Sequence, residues 1–392
     1  TQDNPNLRIL TAGNDGFIRM LRNSSGETPT EPATSDASHL NAGEEVWAFM
    51  PREIMPILGD LARNTQGTHP YGLDGNISLY IQDNNFDGTI NDSDSAWAFF
   101  GLRRGGQGFK YNDADGTVRD VGKSYYALDI SDPDTPKVLW KISKSDPEFA
   151  ELGQTWSTPK VVTLDWGDGP KPALIFGGGY YGGVDNVGDS IGNDVQPETQ
   201  ADDTEGNAIF IVDATNANLV WKAVQGSDFE GNPIYVSEDM EYKHPELRDS
   251  IPSDVSTLDS NSDGLVDRIY VGDTGGVVWR VDLYTSDRAN WALNRILSVG
   301  RHAGSENDLA TAQPDRRFFH AVDIDEAIGE DGVPYEAVLL GSGNRAHPKQ
   351  EFDSGKDGFF VYKDQITGID PATVADIGVK TVDDLVEFTS AE

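Results

Sequence analysis

The chain is 392 residues long, enough for one large domain or two ordinary ones, and its 37% hydrophobic content is enough for a packed core. Its 66 acidic residues against 30 basic ones give a net charge of −36, which argues against nucleic acid and anionic lipid as partners and suits a divalent-cation binder, a solvent-facing extracellular protein or one adapted to high salt. The absence of cysteine removes disulfides, thiolate metal sites and cysteine nucleophiles together.

The chain opens on Thr1 with no visible signal peptide, so a processed or truncated piece of a longer polypeptide is expected. A strand is predicted at Leu7–Thr11. Val46–Leu61 is the best helical stretch, limited by Pro51 and Pro56. Alternating runs rich in β-branched and aromatic residues then predict strands at Asn76–Ile81, Trp97–Leu102, Ser124–Asp129, Ala173–Gly177, Ala208–Asp213, Val277–Asp282, Ala337–Gly341 and Gly358–Tyr362. A short helix is predicted at Thr373–Ile377. No apolar run reaches about 18 residues, so no membrane span is expected. The six histidines form no HxxxH or HxH pair, which argues against zinc.

One loop carries the most chemistry. In Asp259-Ser-Asn261-Ser-Asp263-Gly264-Leu265-Val-Asp267, oxygen-bearing side chains recur at every second position, and a glycine sits where a metal loop turns sharply. Asp259, Asn261 and Asp263 take positions 1, 3 and 5 of a Ca²⁺ loop. Leu265 offers a backbone carbonyl, and Asp267 closes the set directly or through water. Carboxylates this close repel one another, and a cation relieves that repulsion. Position 12 is Tyr270 rather than glutamate, so this is not an EF-hand but a shorter loop feeding a strand. The bland alternative is an acidic turn that binds nothing.

A second loop fits the same frame: Asp83, Asn85, Asp87, Gly88, Thr89, Asn91 and, at position 12, Asp94. Two further acidic stretches, Asn112–Gly116 and Asp165–Gly169, fail when aligned on their glycines and read as plain turns. The glycine run at 177–179 follows an apolar strand but no helical pattern follows it, so it reads as a turn rather than a phosphate cradle. The acidic pairs are too numerous for any one to stand out for hydrolysis.

A unit repeats along the chain: a strand ending in Asp, a polar turn, and a strand ending in Trp. Tyr126–Trp140 and Phe210–Trp221 are two copies. Tyr270–Asp282 is a shifted third, and Asn14–Leu21 a degenerate first. Such repeats describe an all-β, irregular β-propeller of about six or seven blades, with residues 1–392 as a single domain. Insertions at 23–45, 104–124, 180–206 and 225–250 are expected as loops on its faces. The eight tryptophans are expected to pack between blades rather than to hold a cofactor.

Several segments, in order, resemble the C-terminal propeller of the PilY-type pilus biogenesis proteins and the related PilC pilus-tip adhesins. They are Glu44–Pro51, Phe100–Gly106, Tyr125–Asp129, Leu152–Pro159, Ile175–Tyr180 and Gly341–Pro348, and together they span about residues 7–365. The resemblance implies Ca²⁺ at Asp259–Asp267 and a non-enzymatic role in type IV pilus biogenesis, in balancing extension against retraction, and in surface adhesion. It also implies a location at the outer membrane or pilus tip of a Gram-negative bacterium, with minor pilins as partners. A host or surface receptor would be met through an N-terminal region that is not in this sequence. Two departures stand out: Gln107–Lys123 looks inserted, and the strand-rich segment that closes the propeller in relatives is expected to be missing or supplied differently.

The alternative is a quinoprotein dehydrogenase, whose propeller also repeats an Asp-turn-Trp unit and holds PQQ with Ca²⁺. Its axial pocket cannot be assembled from these residues. A purely adhesive integrin-like or sugar-binding propeller is a third reading, without an RGD to support it. Arg103 and Arg104 are expected to pair with nearby carboxylates rather than to bind an anion.

Overall fold

The computed structural model describes residues 7–23, 42–63, 71–91, 93–105, 109–112, 118–121, 123–181, 202–300, 316–346, 357–365 and 379–386. The chain divides into two compact units, Thr1–Ser145 and Asp146–Glu392. Both are built from antiparallel meanders.

In the first unit, β1 (Arg8–Ala12), β2 (Ile18–Arg22) and β3 (Glu45–Phe49) form one sheet. The helix expected from Val46 is therefore a strand to Phe49, followed by a 3₁₀ turn at Arg52–Ile57 and a short helix α1 at Leu58–Arg63. Trp47 pairs with Met20 across the ladder, and Pro51 stops the strand. Tertiary pairing outweighs the helical spacing here. The strands β4 (Ile77–Gln82), β5 (Ser95–Gly101), β8 (Ser124–Asp129) and β9 (Lys137–Ser143) form the second sheet, in that order. Between β5 and β8 the stretch expected as an insertion contributes a separate ribbon, β6 (Phe109–Asn112) and β7 (Val118–Val121). The turn read at Asn112–Gly116 lies mostly outside the described residues. Ile18, Ile54, Phe100, Leu102, Tyr126 and Leu128 make the core of this unit.

Among the described residues the second unit holds three sheets. One contains β10 (Lys160–Asp165), β11 (Pro170–Gly177), β12 (Ala208–Asp213) and β13 (Leu219–Gln225), extended by β14 (Ile234–Val236) and β15 (Glu241–His244) in the order β15–β14 beyond β13. The insertion expected at 225–250 is thus partly strand, with β15 running parallel to β13. The next contains β16 (Ser256–Leu258), β17 (Arg268–Gly272), β18 (Val277–Asp282) and β19 (Ala292–Ser298). The last contains β20 (Asp323–Ile328), β21 (Pro334–Gly341) and β22 (Phe359–Asp364), and β23 (Lys380–Thr381) returns to pair with β19. The helix expected at Thr373–Ile377 falls outside the described residues, as do His347 and most of the insertion at 180–206.

The repeat has a structural basis. Asp129 accepts bonds from the Ser131 N–H (2.9 Å) and hydroxyl (2.6 Å), and Asp213 accepts the same pair from Thr215 (2.8 and 2.6 Å). Each Asp-turn feeds a strand whose Trp, 140 or 221, pairs next to a β-bulge. The shifted copy differs. Asp273 caps the turn before β18, accepting from the N–H groups of Gly275 and Val277, and binds the Trp279 indole N–H at 2.7 Å. Trp140, Trp156, Trp221, Trp279 and Trp291 are buried, and Trp47, Trp97 and Trp166 are half-buried, as packing residues should be. Trp221, Trp279 and Trp291 join one core with Ile209, Ile211 and Ile269. Each such aliphatic side chain contributes about 1.5–3 kcal/mol by burial.

The glycine run at 177–179 is a close-packed turn. A Cβ on Gly179 would meet the Gln154 carbonyl at 2.1 Å, and Gly179 also has φ +100°. Arg103 pairs with Asp74 at 3.3 Å, while Arg104 lies over the Tyr71 ring and donates to its hydroxyl at 2.8 Å.

Candidate metal loops

Residues 259–267 connect β16 to β17, so both ends of the loop are fixed by the Leu258–Arg268 rung. Ser262 (φ +59°) and Gly264 (φ +89°) turn the backbone through the left-handed region. Nothing lies within 4 Å of a Cβ placed on Gly264, so its backbone conformation rather than its space calls for glycine. The turn points successive N–H groups inward. Asp259 accepts from Asp263 N–H (3.1 Å) and Gly264 N–H (2.8 Å). Asn261 accepts from Asp263 N–H (2.8 Å), and Asp263 from Leu265 N–H (2.8 Å). Asp267, which is buried, accepts from both the N–H (2.8 Å) and the hydroxyl (2.7 Å) of Ser260.

Residues 83–94 connect β4 to β5 and repeat this pattern. Phe86 (φ +56°) and Gly88 (φ +75°) take the left-handed positions. Asp83 accepts from Asp87 N–H (3.3 Å) and Gly88 N–H (2.8 Å), Asn85 from Asp87 N–H (3.1 Å), and Asp87 from Thr89 N–H (2.8 Å). Asp94, also buried, accepts from the N–H of Asn84 (2.9 Å) and of Asn91 (3.0 Å). These two N–H groups hold its carboxyl below the usual carboxylate range. The Asn91 amide lies 3.5 Å from both Asp87 and the Thr89 carbonyl.

The structure thus brings Asp259, Asn261, Asp263, Leu265 and Asp267 into one loop, and Asp83, Asn85, Asp87, Thr89, Asn91 and Asp94 into another. All donors are oxygens, the chemistry Ca²⁺ takes. Among the described residues no three His, Cys, Asp or Glu side chains gather as a metal cluster. The acidic side chains of both loops are engaged with backbone N–H groups instead. The contact that spacing did not reveal is the one from the closing carboxylate to the N–H of the loop's second residue, Ser260 or Asn84. The turn expected at Asp165–Gly169 is confirmed: Asp165 only caps the N–H groups of Gly167 (2.8 Å) and Gly169 (3.1 Å).

No family model matches the chain. It is similar to the type IV pilus biogenesis factor PilY1 of Pseudomonas aeruginosa, with 26% identity over 289 residues, covering 73% of this chain and 18% of that protein. A PilY1 homolog of Xylella fastidiosa is 27% identical over 259 residues, covering 64% of this chain and 14% of that protein. The chain therefore spans less than a fifth of the length of these curated relatives. Among solved structures, the Pseudomonas aeruginosa PilY1 C-terminal domain matches with a TM-score of 0.55 and 19% identity, over 96% of this chain and 60% of that one. The resemblance read from the motifs holds in both comparisons. The structural match gives the fold, an all-β propeller as the repeats led us to expect.

Proposed function

We propose that this chain is a calcium-binding β-propeller module of the type IV pilus machinery, acting in pilus biogenesis without a catalytic centre of its own. The observation that carries the calcium reading is that two loops in separate sheets have the same backbone-organised donor order and the same closing contact. The pilus reading rests on relatives whose names say type IV pilus biogenesis factor.

When bound, Ca²⁺ would offset the charge of the loop carboxylates. The chain's part is to hold those carboxylates in sequence. Gly264 and Gly88 set the turn, backbone N–H groups fix both oxygens of Asp259 and Asp83 and one oxygen of Asn261, Asp263, Asn85 and Asp87, and Asp267 or Asp94 ties the loop to its strand. An ordered loop presents a defined face to a partner such as a minor pilin, and a loosened one does not. Control of extension against retraction, surface adhesion and a pilus-tip location belong to the same proposal.

Titration calorimetry of the chain with CaCl₂ tests it. Binding is expected near the affinity of extracellular calcium modules, about 10⁻⁴–10⁻³ M. Asp263→Ala is expected to remove one site and Asp87→Ala the other, with the circular dichroism spectrum unchanged. Equal binding by wild type and both variants overturns the site assignment. Capture of minor pilins that is indifferent to calcium overturns the switch. A quinone absorbance with alcohol oxidation after PQQ addition would favour the quinoprotein reading instead.

A further inference from the structure

A ribbon of two strands, β14 and β15, lies beyond β13 in the first sheet of the second unit. β15 runs alongside β13 from the Lys222–Glu241 rung to the Gln225–His244 rung. Tyr235 and Tyr242 are partners on the ribbon's own ladder, and both pack on the core that holds Trp221 and Trp279. His244 ends the ribbon. Its ring meets the Trp279 ring edge-on, with centroids 5.0 Å apart. Its Nδ1 accepts from the Glu246 N–H at 3.1 Å. Its carbonyl accepts from the N–H of Gly226, where the chain leaves β13, and from the N–H of Leu247, both at 3.2 Å. The second of these bonds closes a turn over residues 244–247, with Pro245 in the second place, where its fixed φ suits the turn. Leu247 is fully buried, so this turn fastens the ribbon's end into the protein.

The turn therefore depends on one ring nitrogen. Nδ1 can accept only while it carries no proton. Once protonated it is a donor, and it then faces the Glu246 N–H donor to donor, so the bond is lost. The surroundings also oppose a charge on the ring. Burial, and then the Arg295 charge from β19, push the imidazole down to about 4. Glu246 is shared by two guanidinium groups, those of Arg295 (3.1 Å) and Arg248 (2.9 Å). Along β15, Glu241 pairs with Lys243 (3.4 Å) and with the buried Lys222 of β13 (2.9 Å). Across the last rung, Asp202 accepts from the Gln225 amide at 2.5 Å. β18 presents the uncharged Trp279 ring.

We propose that His244 is an acid-sensitive latch: the neutral ring fastens the end of the β14–β15 ribbon through the Glu246 N–H, and protonation releases that end from β13 and from the Trp279 ring. The two ends of the ribbon then respond differently. At the Lys222–Glu241 end the tie is an ion pair that needs its carboxylate ionised. At the His244 end the tie is a neutral acceptor that fails at higher pH, before the carboxylate range is reached. The sign follows from the depressed imidazole. The released form takes up the proton at the ordinary value of 6.5, and the latched form only near 4. Latching is therefore complete above 6.5 and weakens as pH falls from there towards 4.

Amide hydrogen exchange of the full chain between pH 7 and pH 4, corrected for intrinsic rates, tests this. The amides of Gly226, Glu246 and Leu247 report the three bonds made to His244. Their protection should fall by up to about tenfold per pH unit below 6.5, while amides of the β4–β5 ladder keep theirs. His244→Gln keeps an acceptor for the Glu246 N–H and cannot be protonated, so its protection should stay flat across the window. His244→Phe keeps a ring against Trp279 but offers no acceptor, so the Glu246 amide should be poorly protected at every pH. Wild-type protection that does not change between 6.5 and 4, or a His244→Gln profile as steep as the wild type, overturns the proposal. If neither variant folds, the His244 ring resonances of the wild type decide. A ring that titrates near 6.5 without moving the three amides also overturns it.

Discussion

The loops at 83–94 and 259–267 share one backbone hydrogen-bond pattern through their first seven positions and differ in how they close. In one, the closing acid is Asp267, which immediately precedes a strand buried along its whole length. In the other, it is Asp94, set three positions later in the loop frame and held by a second N–H, that of Asn91. Both acids nevertheless reach the N–H of the loop's second residue. The difference teaches that the closing contact is fixed in space while its place in the sequence can vary. The surroundings differ too. The 83–94 loop follows a strand with exposed Leu79 and Ile81, and Phe86 at its tip is 92% exposed, where the other loop has Ser262.

The strongest way to break this equivalence is Asp267→Ala. It removes a buried acceptor shared by two Ser260 donors and leaves an N–H without its partner. Chemical denaturation should show a loss of about 3 kcal/mol. A loss no larger than that of Asp263→Ala would mean the closing contact does not hold the loop. Next come Gly264→Ala and Gly88→Ala. Both positions have positive φ and open space, so each should cost about 1–2 kcal/mol from backbone strain alone. Unequal losses would separate the two loops. Ser260→Ala keeps the N–H bond to Asp267 and loses only the hydroxyl bond, so about 1 kcal/mol is expected.

Acid titration sharpens the comparison from the other side. Asp94 has a depressed carboxyl, so its contribution is present above the ordinary value of 3.8 and is lost as pH falls through its own lower value. The amide resonances of Asn84 and Asn91 should move together, with a midpoint below 3.8. A midpoint at or above that value would contradict the closing bonds. The smallest effect is expected from Phe86→Ser, which should change the unfolding free energy by no more than about 0.5 kcal/mol.

Much of this was legible in the sequence for a physical reason. Asx side chains act on backbone groups two to five residues away, so Asp259, Asn261 and Asp263 declare their bonds through spacing alone. The Asp-turn-Trp repeat is equally local. The strand at Glu45–Phe49 was missed because its pairing with β2 is not local, and its apolar spacing also suits a helix. The buried ion pairs Arg268–Glu336 and Arg280–Asp364 were missed for the same reason. Arg268, Arg280, Glu336 and Asp364 are scattered through the sequence, and only the facing of two sheets brings them together. One signal was available: Arg268 with Tyr270, and Arg280 with Asp282, place polar groups at alternate positions of otherwise apolar strands.

The slot occupied by these loops has a wider consequence. In four sheets the first strand passes to the second at the same point of the meander: through 83–94, 166–169, 259–267 and 329–333. The rung beyond each connection closes directly, Gln82 with Ser95, Asp165 with Pro170, Leu258 with Arg268 and Ile328 with Pro334. A short capped turn and a long oxygen-lined loop are therefore interchangeable parts on one chassis. The strand register is set by the rung beyond the connection, so a loop of either length can be exchanged at these points while the ladder stays in register, and grafting the 259–267 sequence onto the 166–169 connection is expected to leave the fold intact.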